Sequence, residues 1–408
     1  MATFSITGVD ANNFLNIYNN NVVNIDYDGS PETETANYLR VTVTRGVESA
    51  EFQVTQFTTS PEAQLFTFNL KEVFKSLVSD AKNRDLKTPI SQVVTDGGLL
   101  QEYSVQYGLI HNEPEPNNYY NYTYKAFKSV EQIGETIVKP ITDPYILSNY
   151  NITMFKGYPF DFSLYTDAGS MNIVNLTNGN SIHYPSVGVG VNRVFLSRGE
   201  YLLDEIDEYQ NFVNRVANAG GTLITNPCYS PSSSLPILNK GYNNIQIESS
   251  SFTSQVLKVR LIDACEGVYL KWFNEKGAWS YWLFNNIHKD KISSRVIDVY
   301  NTDFDSIEQT YFPSLITGKE AENTLDLIYN ALDDNEYNQV KSVITSPRVE
   351  LFIGNKDDDY SLSVANGGAD YAKAWMGVRV LNGTITKSNK IGFNDIKISI
   401  DKKKYTQS

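Results

Sequence analysis

Cysteine, histidine and methionine are all scarce in this chain: two, three and four residues among 408. Cys228 and Cys265 form neither a dense disulfide framework nor a metal-ligand spacing, which leaves a single bridge or two reduced thiols. His111, His183 and His288 lie far apart in different local contexts. A zinc site or a histidine-based triad needs at least one of them beside carboxylates or cysteines at a defined spacing, so neither is expected. Basic residues are also few. Against 47 acidic side chains stand 34 Lys and Arg, for a formal net charge of −13 and a pI near 4.8. That balance argues against a broad phosphate-neutralising surface, and no nucleic-acid partner is expected. The run Lys402-Lys403-Lys404, with Lys397 nearby, is read as a solvated tail.

No stretch approaches the ~18 apolar residues of a membrane-spanning helix, so no membrane span is expected. Met1–Ile6 lacks the basic and apolar regions of a signal peptide, which predicts a protein made and kept in a cytoplasm. The Asn-x-Ser/Thr sequons at Asn121, Asn151, Asn175 and Asn382 are then chance matches in an Asn-rich chain.

Catalytic signatures are missing too. There is no Gly-x-Ser-x-Gly elbow, no His-Glu-x-x-His and no phosphate-binding loop. Gly188-Val189-Gly190 begins like a dinucleotide fingerprint, but Arg193 stands where the third glycine belongs. Asn355-Lys356-Asp357-Asp358-Asp359 lacks the alternating ligands of a calcium loop and reads as a solvated turn. Carboxylates are plentiful, yet no pair stands out as an acid/base couple. We therefore expect no catalytic residue, no cofactor and no metal, and no enzyme.

What the chain does have is aromatics, at 12%, including 27 Tyr and 20 Phe. These suit half-buried pleated surfaces and protein interfaces. Period-two segments predict strands at 22–27, 38–44, 51–57, 64–68, 103–110 and 119–127. Leu39, Val41 and Val43 share one face. One helix, Leu70–Ala81, carries Val73, Phe74, Leu77 and Val78 as a stripe. Residues 112–117 read as an exposed loop. Strands are expected again at 160–165, 171–176, 192–196, 244–248 and 255–262, with a helix at 200–217 and a loop at 230–236. Beyond Ile287, helical spacing of Leu325, Ile328, Tyr329 and Leu332 predicts a helix over 324–332. A second helix is expected over 337–344, and Asp333–Glu336 separates the two. Strands follow at 349–353, 374–381 and 395–400. The expected fold is mainly β: tandem β-sandwich-like domains at 1–145 and 146–290, with a smaller α+β domain at 291–408.

The sharpest local feature is a hairpin. Val268–Phe273 and Ala278–Phe284 flank Asn274-Glu275-Lys276-Gly277, and three of the four tryptophans lie here. Val268, Leu270 and Trp272 point to one face, and Tyr269, Lys271 and Phe273 to the other. A hairpin apolar on both faces must be covered on both, by its own core and by another domain or another subunit. Trp272, Phe273, Trp279, Tyr281 and Trp282 are thus candidate interface residues, together with Tyr119, Tyr120 and Tyr122 of the Tyr-rich strand.

The run Leu270-Lys271-Trp272-Phe273-Asn274-Glu275-Lys276-Gly277-Ala278-Trp279-Ser280-Tyr281-Trp282 resembles a hairpin of virion proteins from Bacteroidetes phages, including the crAss-like group. Ala278 replaces the second glycine of that hairpin. The succession of Tyr337–Lys341, Thr345–Val349, Trp375–Val380 and Gly383–Lys387 looks like the end of the same tail proteins, and the resemblance covers roughly residues 255–408. It implies a tail hub, ring or adaptor component, assembled in the host cytoplasm as a cyclic homo-oligomer. Its neighbours would be other tail or portal-proximal proteins. The motifs are structural and bring no active-site residues. The alternative expectation is a receptor- or glycan-binding module in which Tyr119, Tyr120, Tyr122 and Tyr124 stack on sugar rings.

Overall fold

The computed structural model describes residues 3–28, 38–55, 64–78, 85, 87–89, 93–110, 119–131, 145–167, 169–184, 186–199, 238–249, 252–263, 266–285, 287–301, 314–361, 363–390 and 394–402. The expected helix at 200–217, the loops at 112–117 and 230–236, both cysteines and His111 lie outside these residues. Among the described residues the fold is mainly β, with twenty-four strands and two short α-helices.

The N-terminal region is a β-sandwich. One sheet has the order β2 (Leu15–Asn16), β9 (Tyr119–Phe127), β8 (Leu100–Ile110), β4 (Tyr38–Arg45) and β5 (Glu48–Thr55); the other is β1 (Thr3–Thr7), β3 (Val22–Asp28) and β6 (Gln64–Asn69). The period-two faces meet between them. Leu39, Val41 and Val43 of β4 are fully buried, as are Val23, Ile25 and Phe66 opposite. Each such side chain contributes about 1.5–3 kcal/mol on removal from water. Helix α1 (Lys71–Leu77) is shorter than its stripe suggests, and Val78 already has extended backbone. Phe74 from this helix stacks on Tyr103 of β8 at 4.2 Å.

Two further sheets follow. The first is β10 (Tyr145–Ile146), β12 (Phe160–Thr166), β15 (Gly190–Ser197) and β7 (Val93–Thr95). The second is β11 (Asn151–Phe155), β17 (Leu257–Ile262), β16 (Gly241–Glu248), β13 (Met171–Asn175) and β14 (Asn180–Tyr184), with β11 and β17 parallel. Strand β7 comes from the N-terminal part of the chain yet pairs with β15, so the expected break at 145–146 does not separate all pairing.

The last sheet has the order β19 (Trp279–Phe284), β18 (Val268–Phe273), β22 (Val349–Phe352), β23 (Trp375–Thr386), β24 (Asn394–Lys402), β21 (Ser314–Leu332) and β20 (Ile287–Asn301). The expected break at 290–291 falls inside β20, and one hydrophobic cluster runs from Ile146 to Ile400.

The helix expected over 324–332 is instead the inner half of β21, held by β20 on one side and β24 on the other. The spacing i, i+4 that relates Leu325 to Tyr329 fits a helix and a strand alike. Leu327, two residues on from Leu325 and fully buried beside it, marks the strand. Leu332 returns inward through an irregularity in pairing after Tyr329. Helix α2 is Asp334–Val340, followed by a 3₁₀ turn at Lys341–Val343. The expected separator is its start: Asp333 accepts from the Asn335 and Glu336 amides at 2.8 Å, and Glu336 accepts from the Asp333 amide at 3.1 Å. This is a capping box, with Asp in place of Ser or Thr.

Candidate functional site

The aromatic hairpin β18–β19 is covered on both faces by its own chain. On one face Leu270 and Trp272 lie beside Trp282, and the Trp272 indole donates to Ser342 Oγ at 2.9 Å beyond the end of α2. Gln339 of α2 holds that cover in place: its amide nitrogen donates to the Thr153 and Tyr281 carbonyls, and its oxygen accepts from the Thr153 amide. The hairpin tip docks elsewhere. Gly277 takes φ +85°, and a Cβ there would come within 3.3 Å of the Lys128 backbone.

The opposite face meets the sheet containing β12 and β15, and there the chain buries a group of charges. Arg193 of β15 makes two bonds to Asp161 of β12, at 2.9 and 2.7 Å, and a third to Asp85 at 2.6 Å. Lys271, in the middle of β18, donates to Asp85 at 2.9 Å and lies 3.0 Å from Glu350 of β22, its direct cross-strand partner. Arg348 grips the other oxygen of Glu350 at 2.9 Å. The Tyr281 hydroxyl donates to Asp161. Burial alone would raise the Asp85 carboxyl, but the Arg193 guanidinium and the Lys271 ammonium hold it well below the usual range. Arg193, opposed by its own burial, is pushed further up by Asp161 and Asp85. Burial drives the hydroxyls of Tyr269, Tyr281 and Tyr371 upward and keeps them neutral. Removing one member of such a buried group leaves an uncompensated interior charge, which costs far more than the intact pairing adds in net stability.

The candidate interface residues therefore separate. Trp272, Trp279, Tyr281 and Trp282 are buried within this chain, and Phe273 is half-buried against Trp279 at 5.7 Å. The first four belong to the internal core of this chain, and Phe273 packs at its margin. On β9, Tyr124 is fully buried with its hydroxyl on that of Tyr107. Tyr120 stacks on Phe4 at 3.7 Å, and Tyr122 packs edge-on to Tyr107 at 5.7 Å. Tyr119, on the other side of the strand, is 45% exposed. The row expected to stack on sugars thus turns largely inward, because alternate residues of a sandwich strand face the core.

The exposed apolar surface lies on the next hairpin. Strands β20 and β21 pair from Ile287↔Ile328 out to Asn301↔Ser314, while β24 accompanies β21 only as far as Asn323. Among the described residues, Ser293–Asn301 and Ser314–Glu322 form a two-stranded arm, and nine residues of strand extend roughly 30 Å. Every side chain from Ile287 to Tyr300 is exposed. Seven of the seventeen exposed large hydrophobics of the described chain lie on this hairpin: Ile287, Ile292, Val296, Ile297, Val299, Tyr300 and Ile316. Val299 and Ile316 face each other across the strands, and Arg295 bonds to Glu320 at 2.7 Å. Pairing is irregular around Ile297 and Thr317, and Lys289, Lys291 and Arg295 stud the open edge. Both devices discourage open-ended strand addition.

Sequence reasoning missed the arm because it took part of β21 for helix, and it missed the charge cluster entirely. A signal for the cluster existed: Asp161, Arg193 and Lys271 are the lone charged residues of β12, β15 and β18. No group of three or more His, Cys, Asp or Glu side chains placed to hold a metal occurs among the described residues. Among the same residues no helix is long and apolar enough to cross a membrane. Asp357, at the expected solvated turn, sits at φ +66° and donates its amide to the Gly157 carbonyl at 3.0 Å, so that turn is docked on the body.

No family model matches the chain, and neither does any curated protein. Solved structures similar to it include domains 4 and 5 of the S-layer protein SbsC. That chain is 9% identical, with 64% of this chain and 98% of that one covered and a TM-score of 0.17, a likeness too slight to carry an argument.

Proposed function

We propose that this protein is a structural component of a bacteriophage tail, a hub, ring or adaptor, that assembles with copies of itself and with neighbouring tail proteins through the β20–β21 arm. The observation that carries the reading is the concentration of exposed Ile, Val and Tyr on one protruding strand pair. Large exposed hydrophobics concentrated on one element mark an interaction site more readily than the same residues scattered singly. The resemblance of residues 255–408 to phage virion proteins supports the same reading from the sequence side. A cyclic assembly suits an arm that reaches from one subunit onto the next, because a head-to-tail contact repeated around an axis closes into a ring. The buried charge cluster and the two-sided aromatic core fit a body that must keep its shape while the arm is engaged.

Mass photometry and negative-stain electron microscopy of the purified protein test assembly, with rings expected. A strictly monomeric protein at tens of micromolar would count against self-assembly. In the phage, deletion should leave particles tail-less or unassembled; infectious particles of normal morphology lacking the protein would sink the reading.

A further inference from the structure

We propose that Lys271 and Asp85 are joined by an intramolecular amide bond, with Glu350 as the proton carrier. The three side chains are of the types such a condensation needs, and they are already in place. Lys271 Nζ lies 2.9 Å from Asp85 Oδ2 and 3.0 Å from Glu350 Oε2. All three are shut away from solvent, with side-chain exposures of 0%, 1% and 6%. The ammonium sits in an aromatic box, 4.2 Å from the Trp375 ring centre, 5.0 Å from Trp279 and 5.1 Å from Tyr371. Water that could hydrolyse an intermediate or solvate the charges is excluded there.

The chemistry balances without a co-reactant. An ammonium and a carboxylate become an amide and one water, and nothing is oxidised or reduced. Nζ attacks Asp85 Cγ; the C–N bond forms as the Cγ–Oδ2 bond breaks. Nζ gives up two protons. One passes to Oδ2 along the existing hydrogen bond, and Glu350 takes the other and hands it to the departing oxygen. Oδ2 leaves as water. Lysine is an established nucleophile once its nitrogen is placed against a carbonyl carbon and a base stands beside it, and Asp85 and Glu350 supply both here. Oδ1 is held by Arg193 Nη1 at 2.6 Å. That is the oxygen on which negative charge develops in the tetrahedral intermediate, so a fixed cation already waits there. The product is favoured for the reason that makes buried ion pairs poor stabilisers. Two desolvated charges are replaced by one neutral amide.

The bond closes a loop of 186 residues. It ties Asp85, which lies between α1 and β7 in the chain, to the aromatic hairpin. Long closed loops restrict the unfolded chain most, which suits a particle component under load. The inference stands independently of the arm.

Denaturing mass spectrometry of the purified full-length protein tests it directly. The expected mass is that of the sequence less one water, and a protease digest should give a branched peptide joining the segments that contain Asp85 and Lys271. Lys271→Arg and Glu350→Gln should each restore the full mass, with tryptophan fluorescence reporting that the variants fold. Full sequence mass in the folded wild-type protein overturns the proposal, and that readout depends on no variant. A water deficit that persists in Lys271→Arg overturns it as well.

Discussion

Two successive hairpins, separated by two residues, meet opposite fates. The first, β18–β19, is buried on both faces; the second, β20–β21, is exposed along the whole of its edge strand. Both are antiparallel, and both carry large apolar side chains. What differs is the chain that returns to cover them. Helix α2, β22 and the β12–β15 sheet all close over the first, whereas among the described residues β24 reaches only the inner half of the second. Composition makes the same division. Aromatic rings fill β18–β19, and the arm mixes Ile and Val with Lys, Arg, Asp and Glu. An exposed strand pair is kept compatible with water by such charges, and a buried core has no need of them.

Truncating the core of the first hairpin should have the largest effect. Trp272→Ala should cost about 3–5 kcal/mol of unfolding free energy through lost burial and a cavity, read by urea denaturation; a small cost would mean that this hairpin is not the core it is drawn as. Asp161→Ala should be of similar size, about 3–5 kcal/mol, because it leaves the buried Arg193 with half its partners. Adding Arg193→Met to that change should recover part of the loss, and a further loss in the double variant would show that the cluster stabilises in its own right. Asp333→Ala should cost about 1 kcal/mol by removing the cap of α2, measured the same way. Smallest in stability and largest in assembly, Ile292→Ser, Val296→Ser and Val299→Ser should each shift stability within about 0.5 kcal/mol while together abolishing ring formation. If the triple variant still assembled, the contrast between the hairpins would lose its functional meaning.

Much of the local structure was legible. The faces of β4, the position of the aromatic hairpin and its left-handed Gly277 all follow from period-two patterning and turn chemistry. The strand at 314–332 was not, because spacings of four residues satisfy both periodicities and Leu327 is a single discriminating position among them. Asp333 and Glu336 resemble a polar spacer between two helices, yet together they are the capping signal that starts α2 ahead of its apolar stripe.

By itself the sequence determined that this is a β protein, which residues alternate toward a core, and that β18–β19 carries apolar side chains on both faces. Those are properties of neighbours along the chain, governed by backbone geometry and side-chain period. Only the tertiary structure decided what covers each face, and so which aromatics are core and which hydrophobics are surface. It also brought Asp85, Asp161, Arg193, Lys271 and Glu350 together from five separate segments. No local pattern encodes that meeting, because it depends on how whole sheets pack and on the cost of leaving any one of those charges without its partners.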